Sequence, residues 1–259
     1  SFKFMENQAQ TEPTFEIPYD VIELPSEGKL YVGNKSTVKV EYLTATDENI
    51  LTSPNLLQSG KVLEYLLKNK VKDTDIKVDD LLVGDRNAIM IFLRATGYGE
   101  MYPVRLTDPQ TGEEFETEIN LSELKTKKLG ATPDERGEFT FTLPRTKKDI
   151  KFKLLTASDE ETILKAVEKR TKITGSKVST TLTYRLERQI TEIDGQRDKN
   201  YISKFISVMP AYDSLMFREY VEEIEPGVDL NIEVETPSGD YLRTILPITV
   251  RFFWPNLRV

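Results

Sequence analysis

Chemistry in this chain has to come from Asp, Glu, Lys, Tyr and Ser. The 259 residues contain neither histidine nor cysteine. The commonest general base, the commonest zinc ligand and the thiolate nucleophile are therefore all missing. Ser-His-Asp, Cys-His and HExxH chemistries are excluded, and no disulfide can form. Carboxylates are abundant, 43 against 35 basic side chains. A glycosidase needs two of them flanking one bond, and no Asp/Glu pair is set apart by a motif. Ser–Lys and Tyr arrangements are equally unmarked. The formal charge of −8 argues against nucleic acid as the main partner, because phosphate binding needs a concentrated basic face. The most basic stretch joins Lys165, Lys169, Arg170 and Lys172 to the segment 171–177, and it reads first as a solvated helix face. The remaining candidates are aromatic. Phe2, Phe4, Phe15 and Tyr19 lie near the N-terminus, and Phe252, Phe253 and Trp254 near the other end. Aromatic side chains are enriched where proteins grip one another, so these seven are the candidate interface residues. For Phe252, Phe253 and the only tryptophan, a core role closing a hairpin is the leading alternative.

The elements that would position them follow from periodicity. Residues 79–99 form the organising stretch: Ile89, Phe92, Leu93 and Thr96 recur at helical spacing, and Met90 and Ile91 fill the opposite side. A helix apolar nearly all round has to be covered on both sides. Asp85 is its expected N-cap, and Gly97 and Gly99 its stop. Residues 1–35 read as an extended arm, because Pro13, Pro18 and Pro25 are too closely spaced for a helix. Whether the arm is held by its own domain or by a neighbour is open. Val38–Leu43 alternates as a strand. Thr46 is expected to cap a short helix, and Ser53-Pro54 opens another with Leu56, Leu57, Val62, Leu63, Leu66 and Leu67 inward.

After residue 99 the pattern changes to strand. Met101–Leu106 and Phe115–Leu121 flank the turn 107–112, a β-hairpin with Pro and Gly at its tip. Leu230–Glu235 and Tyr241–Val250 repeat that arrangement around 236–239. Glu138–Leu143 and Ile150–Leu155 alternate. Ser158-Asp159-Glu160-Glu161 reads as a capping box opening a helix. Val178–Ile193 is read as helix despite its Thr and Val content. Lys199–Val208 and a segment from Asp213 are further helices. The fold class is α+β: helical segments each followed by a hairpin, in two loosely repeated halves. The expected organisation is an arm over 1–35 and halves over 36–156 and 157–259. The longest apolar run, Ala88–Leu93, is far short of a membrane span, and the N-terminal residues have no apolar signal region.

Several segments, in order, resemble the family of T4-type bacteriophage baseplate proteins. They are Asn49–Ser53, Leu81–Ile89, Met209–Tyr220, Ile224–Leu230 and Leu246–Pro255. The resemblance implies a structural protein of the baseplate hub or its assembly. Its partners would be other tail proteins, with a second copy of the chain admitted among them. Its place would be the virion tail, after assembly in the host cytoplasm. In that family such turns carry a Cys-Pro-x-Cys-Gly knuckle of zinc-ribbon type. The corresponding positions here are Asp108 and Thr111, and Thr236 and Ser238. None is a soft ligand, so a metal-free ribbon shape is expected, with no cofactor. Two other readings stay open: an assembly chaperone that leaves before the virion is complete, and a tail-associated, carboxylate-based glycan hydrolase.

Overall fold

The computed structural model describes residues 13–254. Strand β1 (Tyr19–Glu23) pairs antiparallel with β2 (Thr37–Glu41), Tyr19 facing Glu41 and Glu23 facing Thr37. The second part of the expected arm is thus held by its own chain. Its three prolines exclude helix but leave this strand free to pair, because Pro18 and Pro25 flank it. Beyond the strand, Leu24 and Ser26 are buried.

Helix α1 (Ala45–Leu51) starts from Thr44, two residues before the expected cap. Thr44 has the extended backbone a cap requires, and its hydroxyl accepts from the Asp47 N–H while the Asp47 carboxylate accepts from the Thr44 N–H. Helix α2 (Pro54–Ser59) begins with proline at its first position, as expected, and α3 (Val62–Lys70) buries Val62, Leu66 and Leu67. Helix α4 (Val83–Tyr98) buries Ile89, Met90, Ile91 and Leu93. Asp85 is not its cap: Leu82 occupies that position, and Asp85 lies inside the first turn, fully buried. There its carboxylate accepts from the Ser26 N–H at 3.0 Å, the Ser26 hydroxyl and the Tyr31 hydroxyl. Those bonds tie the segment after β1 to the head of the central helix. Gly97 is within the helix, where a side chain would collide with Leu43, and Gly99 ends it with φ +99°.

The first hairpin has the expected strands, β3 (Met101–Thr107) and β4 (Glu114–Asn120), with Arg105 opposite Glu116. A short strand β5 (Thr126–Lys127) follows. Strands β6 (Phe139–Thr142) and β7 (Asp149–Phe152) then pair antiparallel. Helix α5 (Ala157–Thr174) opens with a capping box made by Thr156 and Asp159, not by Ser158 and Glu161. Residues 178–193 are not one helix. Helix α6 (Thr181–Gln189) stops at Ile190, and β8 (Ile190–Ile193) adds to the free edge of β7. Ile190 and Ile193 are β-branched and buried there, and sheet pairing overrides the helical spacing. Helices α7 (Lys199–Val208) and α8 (Ala211–Ile224) complete this region. The last helix starts from Pro210 and not from Asp213, whose buried carboxylate instead accepts from the N–H groups of Arg145 and Thr146. Strand β9 (Gly227–Val228) pairs with β5, and β10 (Asn231–Glu235) and β11 (Tyr241–Ile245) form the second hairpin.

The architecture is α+β, helices with small antiparallel sheets. Buried side chains fall into two clusters. One combines β2, α1, α3 and α4 with Ile232, Val234, Leu246, Phe252 and Phe253 from the far end of the chain. The other holds β6, β7, β8 and the inner faces of α6, α7 and α8, together with Leu82. The second hairpin therefore shares the cluster of the first. Their tips touch: Asp108 is buried, one carboxylate oxygen accepting from the Gln110 N–H and the other from the Ser238 N–H at 3.2 Å. Gln110 also hydrogen-bonds Asp240. At the positions where the resemblance leads one to look for knuckles, the two turns are bonded directly to each other. Among the described residues, no helix is long and apolar enough to cross a membrane.

Candidate protein interface

Of the seven aromatic candidates, Phe2 and Phe4 lie outside the described residues. Phe252 and Phe253 are fully buried, and their rings pack edge-on to each other at 5.4 Å. Phe252 also meets Tyr102 of β3 at 4.9 Å, so this pair closes the first hairpin over α4. Neither is available to a partner, which corrects the interface reading for both and agrees with the core alternative. Their burial follows from a 3-10 turn over Val250–Phe253, which folds the rings inward where a continued β11 would have alternated them. Trp254 is half-buried, and its indole N–H donates to the Leu51 carbonyl at 3.1 Å.

Phe15 and Tyr19 behave differently. Phe15 is 89% exposed, and Ile17, Tyr19 and Val21 are exposed as well. Tyr19 and Val21 share one face of β1 because side chains alternate along a strand. The other face turns Ile22 onto the first cluster and lets Asp20 accept from the Tyr42 hydroxyl at 2.7 Å. Lys39 on the paired strand lies over the Tyr19 ring at 4.0 Å. Such a contact leaves the ring's far face open. Among the described residues β1 pairs with β2 alone, so its other edge presents free N–H and C=O groups. An unpaired edge beside a row of apolar side chains is a template for a strand from another chain. That the arm's aromatics face outward from a hairpin was not legible in the sequence, because burial depends on β2, 22 residues away at the Tyr19–Glu41 end, and on the core behind it.

Several buried charges elsewhere hold the fold together. Lys70 and Asp47, each 1% exposed, form an ion pair at 2.5 Å. Burial pushes the Asp47 carboxyl up, but Lys70 and the Thr44 N–H outweigh it and hold it below the usual carboxylate value. Arg94 is buried at the end of α4, donating to the Gly99 carbonyl at 2.8 Å and lying against Tyr102. Sequence reading missed Arg94 and Lys70 because helix ends are routinely basic and nothing local marks these two as buried. A cleft of about 650 Å³ opens between α5, α6 and α7. Its lining holds a single carboxylate, Glu187, bonded to the Ser203 hydroxyl at 2.6 Å. Asp159, at its edge, is engaged by Arg188, Lys153 and the Thr156 N–H. Two-carboxylate glycoside chemistry has no second acid in this cleft. Among the described residues no three carboxylates gather as a metal site.

Compared with known proteins, residues 17–253 match the model of one family, T4 bacteriophage base plate protein. The chain belongs to that family. The match runs from just before β1 to Phe253, so it takes in both clusters and both hairpins. Membership makes this a phage baseplate protein, a part of the viral tail that meets other tail proteins. No curated protein and no solved structure matches it.

Proposed function

We propose that the protein is a structural component of the hub region of a contractile-tailed phage baseplate, working through protein–protein contacts and not through catalysis. One contact surface is the edge of β1 with Phe15, Ile17, Tyr19 and Val21, taken by a strand of a neighbouring tail protein. The carrying observation is this exposed apolar row on an open edge in a chain whose family is that of baseplate proteins. Monomeric proteins rarely leave such a row uncovered.

The test replaces Phe15, Tyr19 and Val21 with Ser together and follows the protein into purified tails. The variant should melt close to the parent, since all three side chains are exposed and none belongs to a buried cluster, yet be lost from the particles. Incorporation at the parental level would refute the docking role of the row. Mass spectrometry of intact tails separates the two structural alternatives, because an assembly chaperone would be absent from finished virions. Release of sugar from purified cell wall would favour the hydrolase reading instead.

A further inference from the structure

We propose that this chain binds a second copy of itself head to tail, the basic end of α5 on one copy meeting the acidic outer faces of the two hairpins on the next. The inference stands on charge and geometry and does not require the hub assignment.

Helix α5 buries only Asp159 and Ile163, both in its first half. From Glu168 to Ser179 every residue is exposed, so the end of the helix and the turn after it lie on the surface. This end carries Lys169, Arg170, Lys172 and Lys177 against one carboxylate, Glu168. Among the described residues none of those four cations is in an ion pair, whereas Lys165, one turn back, is held by Glu161 at 2.8 Å. Lys165, Lys169 and Lys172 share one face at the i, i+4, i+7 spacing, about 6 and then about 4.5 Å apart along the axis. Ile173 and Val178 are 72% and 76% exposed beside them. A solvated helix face explains the lysines but not the uncovered isoleucine and valine.

The complement lies on the hairpins. Strand alternation sends Tyr102, Val104 and Leu106 inward and leaves Glu114, Glu116 and Glu118 on the outer face of β4. These carboxylates recur every second residue, about 6.8 Å apart. Arg105 is the only cation of that hairpin, and it pairs with Glu116 at 2.9 Å. On the second hairpin, Glu233, Glu235 and Asp240 face the single cation Arg243. Apolar side chains are exposed here as well: Met101, Tyr241 and Ile245. Each patch therefore combines exposed apolar side chains with an excess of one charge, and the signs are opposite. The row on β4 and the row on α5 also have similar spacing. The basic patch is on α5, which packs on α6, and the acidic one lies over the first cluster, so the contact joins unlike surfaces. A heterologous contact of this kind closes into a ring or propagates. Nucleic acid would suit the basic end alone. It would leave the matching acidic faces of the same chain without a role and bring phosphates toward a molecule of net charge −8.

Sedimentation velocity of the full chain tests this, at about 50 mM and about 500 mM salt to vary screening. At low salt the average mass should rise above the 29.7 kDa monomer with increasing protein concentration, and it should return to monomer at high salt. Lys169→Glu with Arg170→Glu and Lys172→Glu makes one variant, and Glu114→Lys with Glu118→Lys makes a second that keeps the Arg105–Glu116 pair. Each alone should remain monomeric at low salt, with an unchanged melting temperature. Mixed together they should associate again, since the reversed end of the first fits the reversed face of the second. A parent that stays monomeric at every concentration would overturn the proposal, as would association indifferent to the substitutions or a mixture that stays monomeric. A parent that binds an oligonucleotide through the α5 end without self-association would also overturn it.

Discussion

Replacing Lys70 with Met isolates what a buried charge pair contributes to the first cluster. The Lys70 ammonium contacts the Asp47 carboxylate at 2.5 Å and donates to the Tyr42 carbonyl at 3.0 Å. Asp47 also accepts from the Thr44 N–H at 2.8 Å and from the Asn69 side-chain amide at 2.7 Å. Methionine keeps most of the stem packing and removes only the cation, so the loss is electrostatic. Breaking a buried pair by removing one partner costs about 3–5 kcal/mol, against about 0–1 kcal/mol for an exposed pair. With a urea slope of about 2–3 kcal/mol/M, the midpoint should fall by about 1–2 M. The single tryptophan, Trp254, sits in the first cluster against Leu51, and its fluorescence is the assay. Asp47→Asn leaves the ammonium buried without its counter-charge and should cost a comparable amount. The double variant should cost less than the two singles together by about 1–3 kcal/mol. The pH dependence has a defined sign. The folded Asp47 carboxyl lies below its ordinary value, so its contribution is complete above the unfolded value of about 3.9 and is lost as pH falls through the lower folded value. Lys70→Met should flatten that acid-side loss. Singles costing under about 1 kcal/mol and adding without coupling would refute the reasoning, because a pair behaving that way is solvated.

Two further outcomes are expected. Gly84 sits in the first turn of α4, where a Cβ would collide with the Pro226 carbonyl oxygen and with Gly227 Cα, both backbone. Gly84→Ala should therefore cost about 1–3 kcal/mol by forcing β9 off the helix, and a melting curve identical to the parent's would show that the approach is not close. Phe217 is fully buried in the second cluster, at 5.0 Å from the Phe152 ring, and Phe217→Ala should cost about 3–5 kcal/mol. Helix α4 contributes Ile89 to the first cluster, and its entry residue Leu82 belongs to the second. Trp254 fluorescence and far-ultraviolet circular dichroism should therefore shift together in Phe217→Ala, and a Trp254 transition left in place would mean that the clusters unfold independently.

Much of the local structure can be read from residue spacing. Helix α4 is apolar on both sides because it is covered on both sides, and the two hairpins are punctuated by Pro and Gly at their tips. Caps were harder to place. Thr-x-x-Asp at 44–47 and at 156–159 forms the working boxes, yet Thr46 and Ser158 stand two residues later with acidic neighbours of their own. Which one serves depends on where the backbone leaves the extended region. The helix-to-strand change at Ile190 was hidden for a related reason: a nine-residue helix and the strand after it share one run of apolar spacing. Of the candidate interface, Phe15 and Tyr19 are exposed as an interface requires, whereas Phe252 and Phe253 are interior.

The amino-acid sequence by itself determined the type of most elements, the family, and the absence of imidazole and thiol chemistry, because these depend on residue identity and on spacing within a few positions. The tertiary structure alone decided that the second hairpin returns to the first cluster, that Asp108 meets Ser238 across 130 positions, and that Lys70 is buried while the lysines at the end of α5 are not. Those outcomes rest on contacts between distant segments, and an isolated stretch of chain carries no record of what will cover it.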